Sequence, residues 1–558
     1  MNYLDILKKI HLVKSKKLTF KDRVLLVILA IGIFLLIIFI FYVVVFSYSQ
    51  KTIANFLPAE QTVAYLEFED FSFQPKLQDD IVFNKEQFQQ TLKSAFNIKE
   101  EADITSWARD RFGIALIKSD NSENTPVLFV QTGNRHKALN FFKELTLPDE
   151  ELEKSDNSNS AIYSYSQGQS FNFTFIGPYV LIAKTPKPLE TIQQIYLDNS
   201  AVLKSQTDYQ KSFGNLPRQS WIRGYIDFQS LHTDNIAINN IIEPLKHVIN
   251  HFALTIRKNP NGFHFNVFAN LNKDLLSLNE DYGKKTRFAY KLTDYISSKD
   301  LALYIGGADL SQEWQNTLLT ISNLNPAYGI ILESIIRAQV TNVFGNEVSL
   351  RNDFYPLFEG EYALAISVKE DSLLDVSLIL SSTDQDFAEV KLSKMMKGFK
   401  YLAAKFAPKL HTVTLPDGTI SRELIADTSR TEETAEIYEG YDVHCIDVTN
   451  SSSGFCYTVT DELIIMTNNR STAINTIDLT LSPEFTLSQH QPFRQTVSNL
   501  SRVSDEMTFI DIQKALPLAS NHPYELLIKQ FLEKLDAVSW VKHYFDDGVS
   551  TEGYLLIK

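Results

Sequence analysis

Two stretches of the chain, residues 213–229 (FGNLPRQSWIRGYIDFQ) and residues 497–513 (VSNLSRVSDEMTFIDIQ), align with each other without a gap. Each leads from a polar turn into a run of apolar residues that predicts a strand, and each ends in Asp, an apolar residue and Gln. We interpret the match as evidence of an internal duplication.

Further matches occur in the same order along the chain. The pairs are 57–72 with 296–311, 107–117 with 357–367, 127–145 with 377–395, 175–197 with 458–479, and 259–271 with 544–558. They predict strands, turns and short amphipathic helices, and both copies end in a strand that follows an Asn-Gly or Asp-Gly turn. Six matches in one order make a chance resemblance between the copies a poor explanation.

The duplication predicts an α+β fold of two tandem homologous domains, each a mainly antiparallel sheet with helices packed on one face. The predicted first domain spans residues 51–271, a linker spans 272–298, and the second domain spans 299–558. An acidic polar insertion at residues 416–436 lengthens the second copy, and we expect it to be a loop.

The N-terminal region predicts a membrane anchor. Residues 24–46 form 23 consecutive uncharged and mostly apolar residues, enough for a transmembrane helix. The tail before it, residues 1–23, has seven basic residues against two acidic ones, which favours a cytoplasmic N-terminus. We therefore expect a single-pass cell-membrane protein, with an uncleaved signal-anchor and the bulk of the chain extracytoplasmic; a cleaved signal peptide is the alternative.

The net charge of the chain restricts the kinds of partner that we expect it to bind. Residues 24–558 contain 46 basic and 65 acidic residues, so a nucleic-acid partner is not expected. The simplest meaning of this acidity is solubility.

Several motifs resemble one bacterial family. They are the opening LPAEQTVAYLEF (57–68), the elements WARDRFGIAL (107–116) and LFEGEYALAI (357–366), the strand YEGYDV (438–443) and the strand DELIIMTNN (461–469). Together with the anchor, they resemble the family catalogued as domain of unknown function 3352. The resemblance implies a bacterial, membrane-anchored, outward-facing protein, and it implies no activity or catalytic residue. One departure is Ser297, which stands where the first copy has Pro58.

The two cysteines of the chain, Cys445 and Cys456, lie on either side of the turn-forming residues TNSSSG (449–454). They could face each other across a hairpin and form a disulfide in an oxidising exterior. Two free, buried thiols are the alternative.

The sequence contains no strong chemical motif. The segment DYGKKT (281–286) lacks the first glycine of a phosphate-binding loop, and no G-x-S-x-G motif occurs. His247 and His251 would share a helix face, but a third metal ligand is missing. The acidic run EFED (67–70) alternates with aromatic residues and is interpreted as part of an edge or half-exposed strand. We therefore predict no catalytic residue, no cofactor-binding residue and no metal site.

Four aspartates recur where a strand ends and a turn or helix begins: Asp70, Asp227, Asp309 and Asp511. A carboxylate in that position can accept backbone N–H groups as the chain leaves the sheet. We interpret all four as structural strand-exit caps.

These patterns favour a non-enzymatic interaction or scaffolding module at the bacterial cell envelope, with an envelope protein as partner. Two alternatives remain open: a carrier or binder of a hydrophobic or lipid ligand, since aromatic residues alternate with polar ones in several strands, and an enzyme with an unrecognised site.

Overall fold

The computed structural model describes residues 52–69, 106–118, 124–145, 153–155, 161–165, 171–198, 201–231, 236–272, 288–324, 326–369, 374–382, 384–406, 409–425, 427, 429, 431–448, 454–519 and 532–558. The predicted transmembrane segment 24–46 and the basic tail 1–23 lie outside this part of the chain. Among the residues described, no helix is long and apolar enough to cross a membrane.

The described chain alternates strands with helices, as the α+β prediction requires. The strands are β1 Thr62–Phe68, β2 Ala108–Lys118, β3 Asn124–Thr132, β4 Glu153–Ser155, β5 Ile162–Tyr165, β6 Phe171–Ile176, β7 Tyr179–Ala183, β8 Ile222–Asp227, β9 Ile249–Asn259, β10 Gly262–Leu271, β11 Leu301–Gly307, β12 Tyr362–Val368, β13 Leu374–Ser381, β14 Lys409–Thr414, β15 Ile420–Ile425, β16 Thr431–Tyr438, β17 Tyr441–Val448, β18 Gly454–Val459, β19 Leu463–Thr467, β20 Glu506–Asp511, β21 Leu535–Phe545 and β22 Gly548–Ile557. The α-helices are α1 Arg135–Leu145, α2 Lys187–Asp198, α3 Thr207–Gly214, α4 Ile236–Val248, α5 Leu310–Leu324, α6 Pro326–Phe344, α7 Gln385–Phe406, α8 Arg470–Leu481, α9 Gln491–Val497 and α10 Ile512–Ala515.

Twenty of these strands form one continuous antiparallel sheet. Its order is β4-β5-β6-β7-β3-β2-β1-β8-β9-β10, followed by β22-β21-β20-β11-β12-β13-β19-β18-β17-β16. The second ten strands are the equivalents of the first ten in reverse order. Each half is thus one copy of the unit, and the copies join edge to edge through β10 and β22.

The register of the strands agrees with the internal alignment. Strand β1 shifts register after Thr62 in its pairing with β2, and β11 shifts register at the equivalent residue, Leu301, in its pairing with β12. In the next pair of strands, Phe112 faces Val130 in the first half. The residues 250 positions later face each other in the second half.

The junction between the halves has twofold pseudosymmetry. Strand β10 pairs with β22 so that Asn266 lies opposite Glu552, and these two residues are themselves equivalent when the turns before the strands are aligned. Directly opposed residues point to the same face of an antiparallel sheet, so the axis is normal to the sheet. Equivalent strands therefore run in opposite directions, and equivalent helices cover the same face.

Helices cover both faces of the sheet, so the prediction of helices on one face is wrong. On the face that carries Tyr65, called the front face, α2 and α3 pack over the first half, and α8 and α9 pack over the second. On the back face, α1 packs over the first half, and α6 and α7 pack over the second. The reason lies in the central strands, because every residue of β1 and β7 is buried and neither face can be left in water.

Two further predictions differ from the structure. The end of the predicted linker belongs to the second half, since Phe288, Leu292 and Ile296 are buried in its core. The predicted loop at 416–436 contains strand β15 and the beginning of β16 instead. Strands β14 and β15 form a separate two-stranded hairpin, which the polar composition of the segment concealed.

Candidate functional site

A row of polar side chains crosses the front face of the first half. Glu67 of β1 lies opposite Arg223 of β8, which lies opposite Thr255 of β9. The Glu67 side chain is fully buried, and Thr255 is buried as well. Within the described residues, Glu67 Oε2, Arg223 Nε and Thr255 Oγ1 have no hydrogen-bond partner. Unpaired buried polar atoms of this kind cost stability and mark the row as a candidate functional site.

Beside this row, hydroxyl and imidazole groups form a second polar chain. The hydroxyls of Tyr65 and Tyr209 are 2.6 Å apart and share a hydrogen bond. The ring of Tyr209 packs on Tyr225, whose hydroxyl is 2.9 Å from Nδ1 of His251. Helix α3 supplies Tyr209, and three adjacent strands supply the other residues.

At the end of the polar chain that is nearest the surface, His251 lies close to two carboxylates. His251 Nε2 is 3.8 Å from Asp208 of α3, and Nδ1 is 3.7 Å from Asp227. Burial lowers the pKa of His251, and the two carboxylates act in the opposite direction. Asp208 is exposed, so the polar chain runs from the interior of the sheet to the surface.

Glu67 has an unusual protonation equilibrium for a carboxyl group. Burial raises its pKa to about 7, while Arg223 and the hydrogen bond from the Ile53 backbone N–H act in the opposite direction. That N–H lies 3.2 Å from Glu67 Oε1. The carboxyl therefore exchanges its proton near neutral pH, and it does so in contact with the first helical turn of the described chain.

The phenols in the same region are held neutral. Burial raises the pKa of Tyr209 to about 12, although its hydrogen bond with Tyr65 acts in the opposite direction. Burial also raises the pKa of Tyr65, and so do the nearby Tyr209 and Glu67. The Tyr65 and Tyr209 hydroxyls are therefore neutral groups that both donate and accept hydrogen bonds.

The second half has the same arrangement of rings, but most of the polar groups are replaced by apolar ones. Tyr304, Phe493 and Phe509 occupy the positions of the three tyrosines, and the ring spacings are nearly unchanged: 6.2 Å for Tyr304–Phe493 and 5.3 Å for Phe493–Phe509, against 6.1 Å and 5.4 Å in the first half. Ala537 occupies the position of His251. The other replacements are Gly306 for Glu67, Met507 for Arg223 and Val541 for Thr255. The polar site is thus specific to the first half.

Sequence reasoning missed this site for two identifiable reasons. The pattern at residues 67–70 predicts an edge or half-exposed strand, whereas β1 is a buried central strand between β2 and β8. His251 was placed on a helix with His247, whereas α4 ends at Val248 and His251 lies on β9. The internal alignment carried a usable signal, because it sets Glu67 against Gly306.

Three of the four predicted aspartate caps lie in the described chain, and Asp70 lies outside it. Asp309 accepts a hydrogen bond from the Gln312 backbone N–H at the start of α5, and Asp511 accepts one from Lys514 at the start of α10. Asp227 accepts the Gln229 N–H at 2.9 Å and the Ser230 hydroxyl at 2.7 Å. The contact of Asp227 with His251 was not anticipated.

The two cysteines are joined by a disulfide. They lie directly opposite each other in the pairing of β17 with β18. The equivalent pair in the first half is Ser164 and Asn172, and the Ser164 hydroxyl donates to Asn172 Oδ1 at 2.8 Å. One cross-strand position thus carries a covalent link in one half and a hydrogen bond in the other.

A buried ionic network joins the halves at the pseudosymmetry axis. Arg257 donates a hydrogen bond to Nδ1 of His264, and His264 Nε2 donates to Glu552 at 2.9 Å. Burial of Glu552 opposes its ionisation, but the hydrogen bonds from His264 and from the Ser501 backbone N–H outweigh that effect and lower its pKa. The network connects β9 and β10 of the first half to β22 of the second.

A contrasting feature is an exposed apolar surface on the second half. On helix α6, Tyr328, Ile331 and Ile335 lie on one side, and each is at least 50% exposed; Ile330 is 66% exposed. Leu319 of the adjacent α5 is 40% exposed. We call these five residues the helical apolar surface. Exposed apolar residues that cluster on one helix are typical of a binding surface.

Charged residues lie at the side of this surface that carries Ile330, since Glu333 is three residues from Ile330 on the helix. Glu333 accepts hydrogen bonds from Arg337 at 3.0 Å and from Arg351 at 2.9 Å. An apolar centre with a charged border is the usual composition of a protein interface.

The β14–β15 hairpin exposes a second apolar surface. Leu410 pairs with Leu424 on one face of the hairpin, and Ile420 lies on the same face; their exposures are 58%, 71% and 62%. Leu415, in the turn, is 42% exposed. The segment between α7 and β16 has 24 residues, whereas the segment between α1 and β4 has seven, so the hairpin is an addition to the second half.

In the described part of the chain, no group of three or more His, Cys, Asp or Glu side chains is arranged to hold a metal ion.

The fold and these surfaces define a class of protein: a duplicated antiparallel sheet with an ionisable, buried site in one half and exposed apolar surfaces on the other. The chain belongs to the family described as protein of unknown function DUF3352, whose profile matches residues 59–550. The sequence resemblance to that family is therefore confirmed.

Other comparisons add little. No curated protein sequence matches the chain. Similar solved structures include crystal forms I, IV and III of TP0453, at 12%, 9% and 11% identity. They cover 39%, 42% and 42% of this chain and 78%, 86% and 88% of those chains, with TM-scores of 0.24, 0.24 and 0.25. Scores of this size do not indicate a shared fold.

Proposed function

We propose that this chain is a membrane-anchored, non-enzymatic interaction protein of the bacterial cell envelope. Residues 24–46 would hold it in the membrane, and the duplicated sheet would present the second half to a protein partner. The observation that carries the proposal is the helical apolar surface on α5 and α6.

The chemistry of the helical apolar surface favours a folded protein as its partner. Ile331 and Ile335 are half or more exposed and lie one helical turn apart, so a complementary apolar groove could bury both. The ion pairs of Glu333 at the border would give such a contact orientation. Burial of these side chains would contribute on the order of 1.5–3 kcal/mol each before the cost of association is subtracted.

The polar site in the first half supports the non-enzymatic part of the proposal, because its groups are enclosed within the fold. Tyr65, Glu67 and Tyr225 are at most 1% exposed. Groups packed in this way can bind and release protons, and through them the stability of the first half can respond to pH.

Site-specific photo-crosslinking in intact cells tests the proposal. A photoreactive phenylalanine analogue replaces Ile331 in the full-length chain, and a matched control carries it at Leu481, which is 54% exposed at the end of α8. We expect one adduct of discrete protein mass at position 331 and none at 481. The substitution Ile335→Glu should abolish the adduct, because it places a charge in the centre of the contact.

Three results would contradict the proposal. They are the absence of any adduct at position 331 above the level at 481, an adduct that persists unchanged in Ile335→Glu, and an adduct with the mass of a lipid. The last would favour a hydrophobic-ligand carrier instead.

A further inference from the structure

The surface next to the predicted anchor has a composition suited to a lipid bilayer. Tyr196 and Leu197 lie in the last turn of helix α2 and are 46% and 42% exposed. The Tyr196 ring packs against Phe56, with ring centroids 5.7 Å apart. Phe56 directly follows the helical turn Ile53–Asn55, which lies next to the first described residue, Thr52.

A basic residue completes this region. Lys204 Nζ donates to the Thr52 hydroxyl at 3.4 Å and is exposed. Tyr196, Leu197, Lys204 and Thr52 thus lie around one end of the chain segment that leads towards residues 24–46. We call these four residues the tether surface.

The chain length limits how far the tether surface can be from the membrane. Only residues 47–51 separate the predicted transmembrane segment from Thr52, so even a fully extended connection spans about 20 Å. Tyrosine is enriched at the membrane–water interface, and a lysine next to it can extend to lipid phosphates.

We propose that the tether surface docks on the outer surface of the bilayer, with Tyr196 and Leu197 inserted among the lipid headgroups. This inference rests on the proposed membrane anchor. Asp198 follows Leu197 and is exposed, so burial of the apolar and aromatic side chains holds the contact, and net charge does not. The docked contact fixes which edge of the twenty-stranded sheet faces the membrane.

The pseudosymmetry supplies a matched control for this contact. Leu481 at the end of α8 occupies the position equivalent to Leu197 at the end of α2, and it is similarly exposed at 54%. Equivalent strands run in opposite directions, so Leu481 lies at the opposite edge of the sheet. Strands β1 and β11 are seven strand spacings apart, roughly 34 Å. The same leucine is thus present once beside the tether and once remote from it.

Quenching by spin-labelled lipid tests the docking. Full-length Leu197→Cys and Leu481→Cys variants, each labelled with a bimane fluorophore, are reconstituted into phosphatidylcholine vesicles that contain a doxyl-labelled phosphatidylcholine. We expect at least about a twofold loss of fluorescence at position 197 and none at 481. A second substitution, Tyr196→Glu, should reduce the quenching at 197, because it places a charge in the contact.

Extraction with alkaline carbonate tests the membrane anchor separately from the docking of the tether surface. If the labelled chain stays in the membrane but position 197 is not quenched, or 197 and 481 are quenched equally, the docking is refuted and the anchor stands. If alkaline carbonate releases the chain, both the anchor and the docking are refuted.

Discussion

The two halves of the sheet have the same strand order, the same register and the same ring positions, but their polarity differs at matching sites. In the first half, Tyr65 and Tyr209 share a hydrogen bond, whereas in the second half Tyr304 faces Phe493. The Tyr304 hydroxyl is buried without a hydrogen-bond partner in the part of the chain that the structure describes. The comparison teaches that backbone geometry alone does not require the polar site, because the second half forms the same strands with Gly306, Met507 and Val541 at the matching positions.

The first prediction concerns two equivalent cross-strand pairs: Cys445 and Cys456 are joined by a disulfide, whereas Ser164 and Asn172 are joined by a hydrogen bond. Replacement of Cys445 and Cys456 by alanine should lower the free energy of unfolding by about 3 kcal/mol, because the disulfide closes a loop over a sequence separation of 11 residues. The equivalent change in the first half, Ser164→Ala, removes one hydrogen bond and should cost about 1 kcal/mol. Chemical denaturation of both variants measures the difference, and equal losses would show that the link adds nothing to the shared strand pairing.

Glu67 gives a pH-dependent prediction of similar size. Its pKa is about 7 in the folded chain and 4.5 when unperturbed, so the native state holds a proton that the unfolded state releases. The free energy of unfolding is therefore unaffected by this group below the unperturbed pKa of 4.5. It falls as the pH rises from there through about 7, where the folded state also loses the proton. The variant Glu67→Gln cannot ionise, so it should match the wild type near pH 4 and be more stable by about 3 kcal/mol at pH 8.

Denaturation curves across pH 4–8 measure this difference, with the exposed residue Glu60 changed to Gln as the control. A constant difference between Glu67→Gln and the wild type would mean that Glu67 ionises normally.

An exchange of hydroxyl groups between the halves should have smaller effects of opposite sign. Tyr209→Phe removes the partner of the Tyr65 hydroxyl and should lower stability by about 1 kcal/mol. Phe493→Tyr offers a partner to the Tyr304 hydroxyl and should raise stability by up to about 1 kcal/mol. Thermal unfolding of both variants tests the pair, and a loss of stability in both would show that the second half has no room for the hydroxyl.

The aspartate caps should have small effects of similar size in the two halves. Asp227→Ala and Asp511→Ala each remove an acceptor for backbone N–H groups and should lower stability by about 1 kcal/mol. Asp227→Asn keeps the acceptor oxygen and should be nearly neutral. A loss of partner crosslinking in Asp227→Ala at unchanged stability would contradict a purely structural role.

How much of the structure the sequence predicts depends on how far apart along the chain the interacting residues lie. The duplication was visible because equivalent strands keep their local patterns, and the offset of 250 residues between the copies reappears in the paired register of β2 with β3 and β12 with β13. The α+β class is confirmed for the same reason. The joining of both copies into one sheet depends on β10 meeting β22 across nearly 290 residues, and no local pattern encodes that contact.

The polar site was hidden for a related reason. The sequence places Glu67 next to Phe68, and only the neighbouring strands β2 and β8 show that it is buried on a central strand. His251 likewise gains its role from Tyr225 on the adjacent strand. Predictions from local patterns identified the aspartate positions, where the partners are two or three residues away, and missed the groups whose partners lie on other elements.

The most direct test of the central claim, that a partner covers the helical apolar surface in the envelope, is the labelling rate of a cysteine at position 331. The full-length variants Ile331→Cys and Leu481→Cys are treated with a membrane-permeant maleimide in intact cells and, separately, after purification. The account predicts that position 331 reacts fast in the purified protein and at least about tenfold more slowly in cells, as burial in an interface requires. Position 481 should react at similar rates in both. Equal labelling rates of position 331 in cells and after purification would contradict the account.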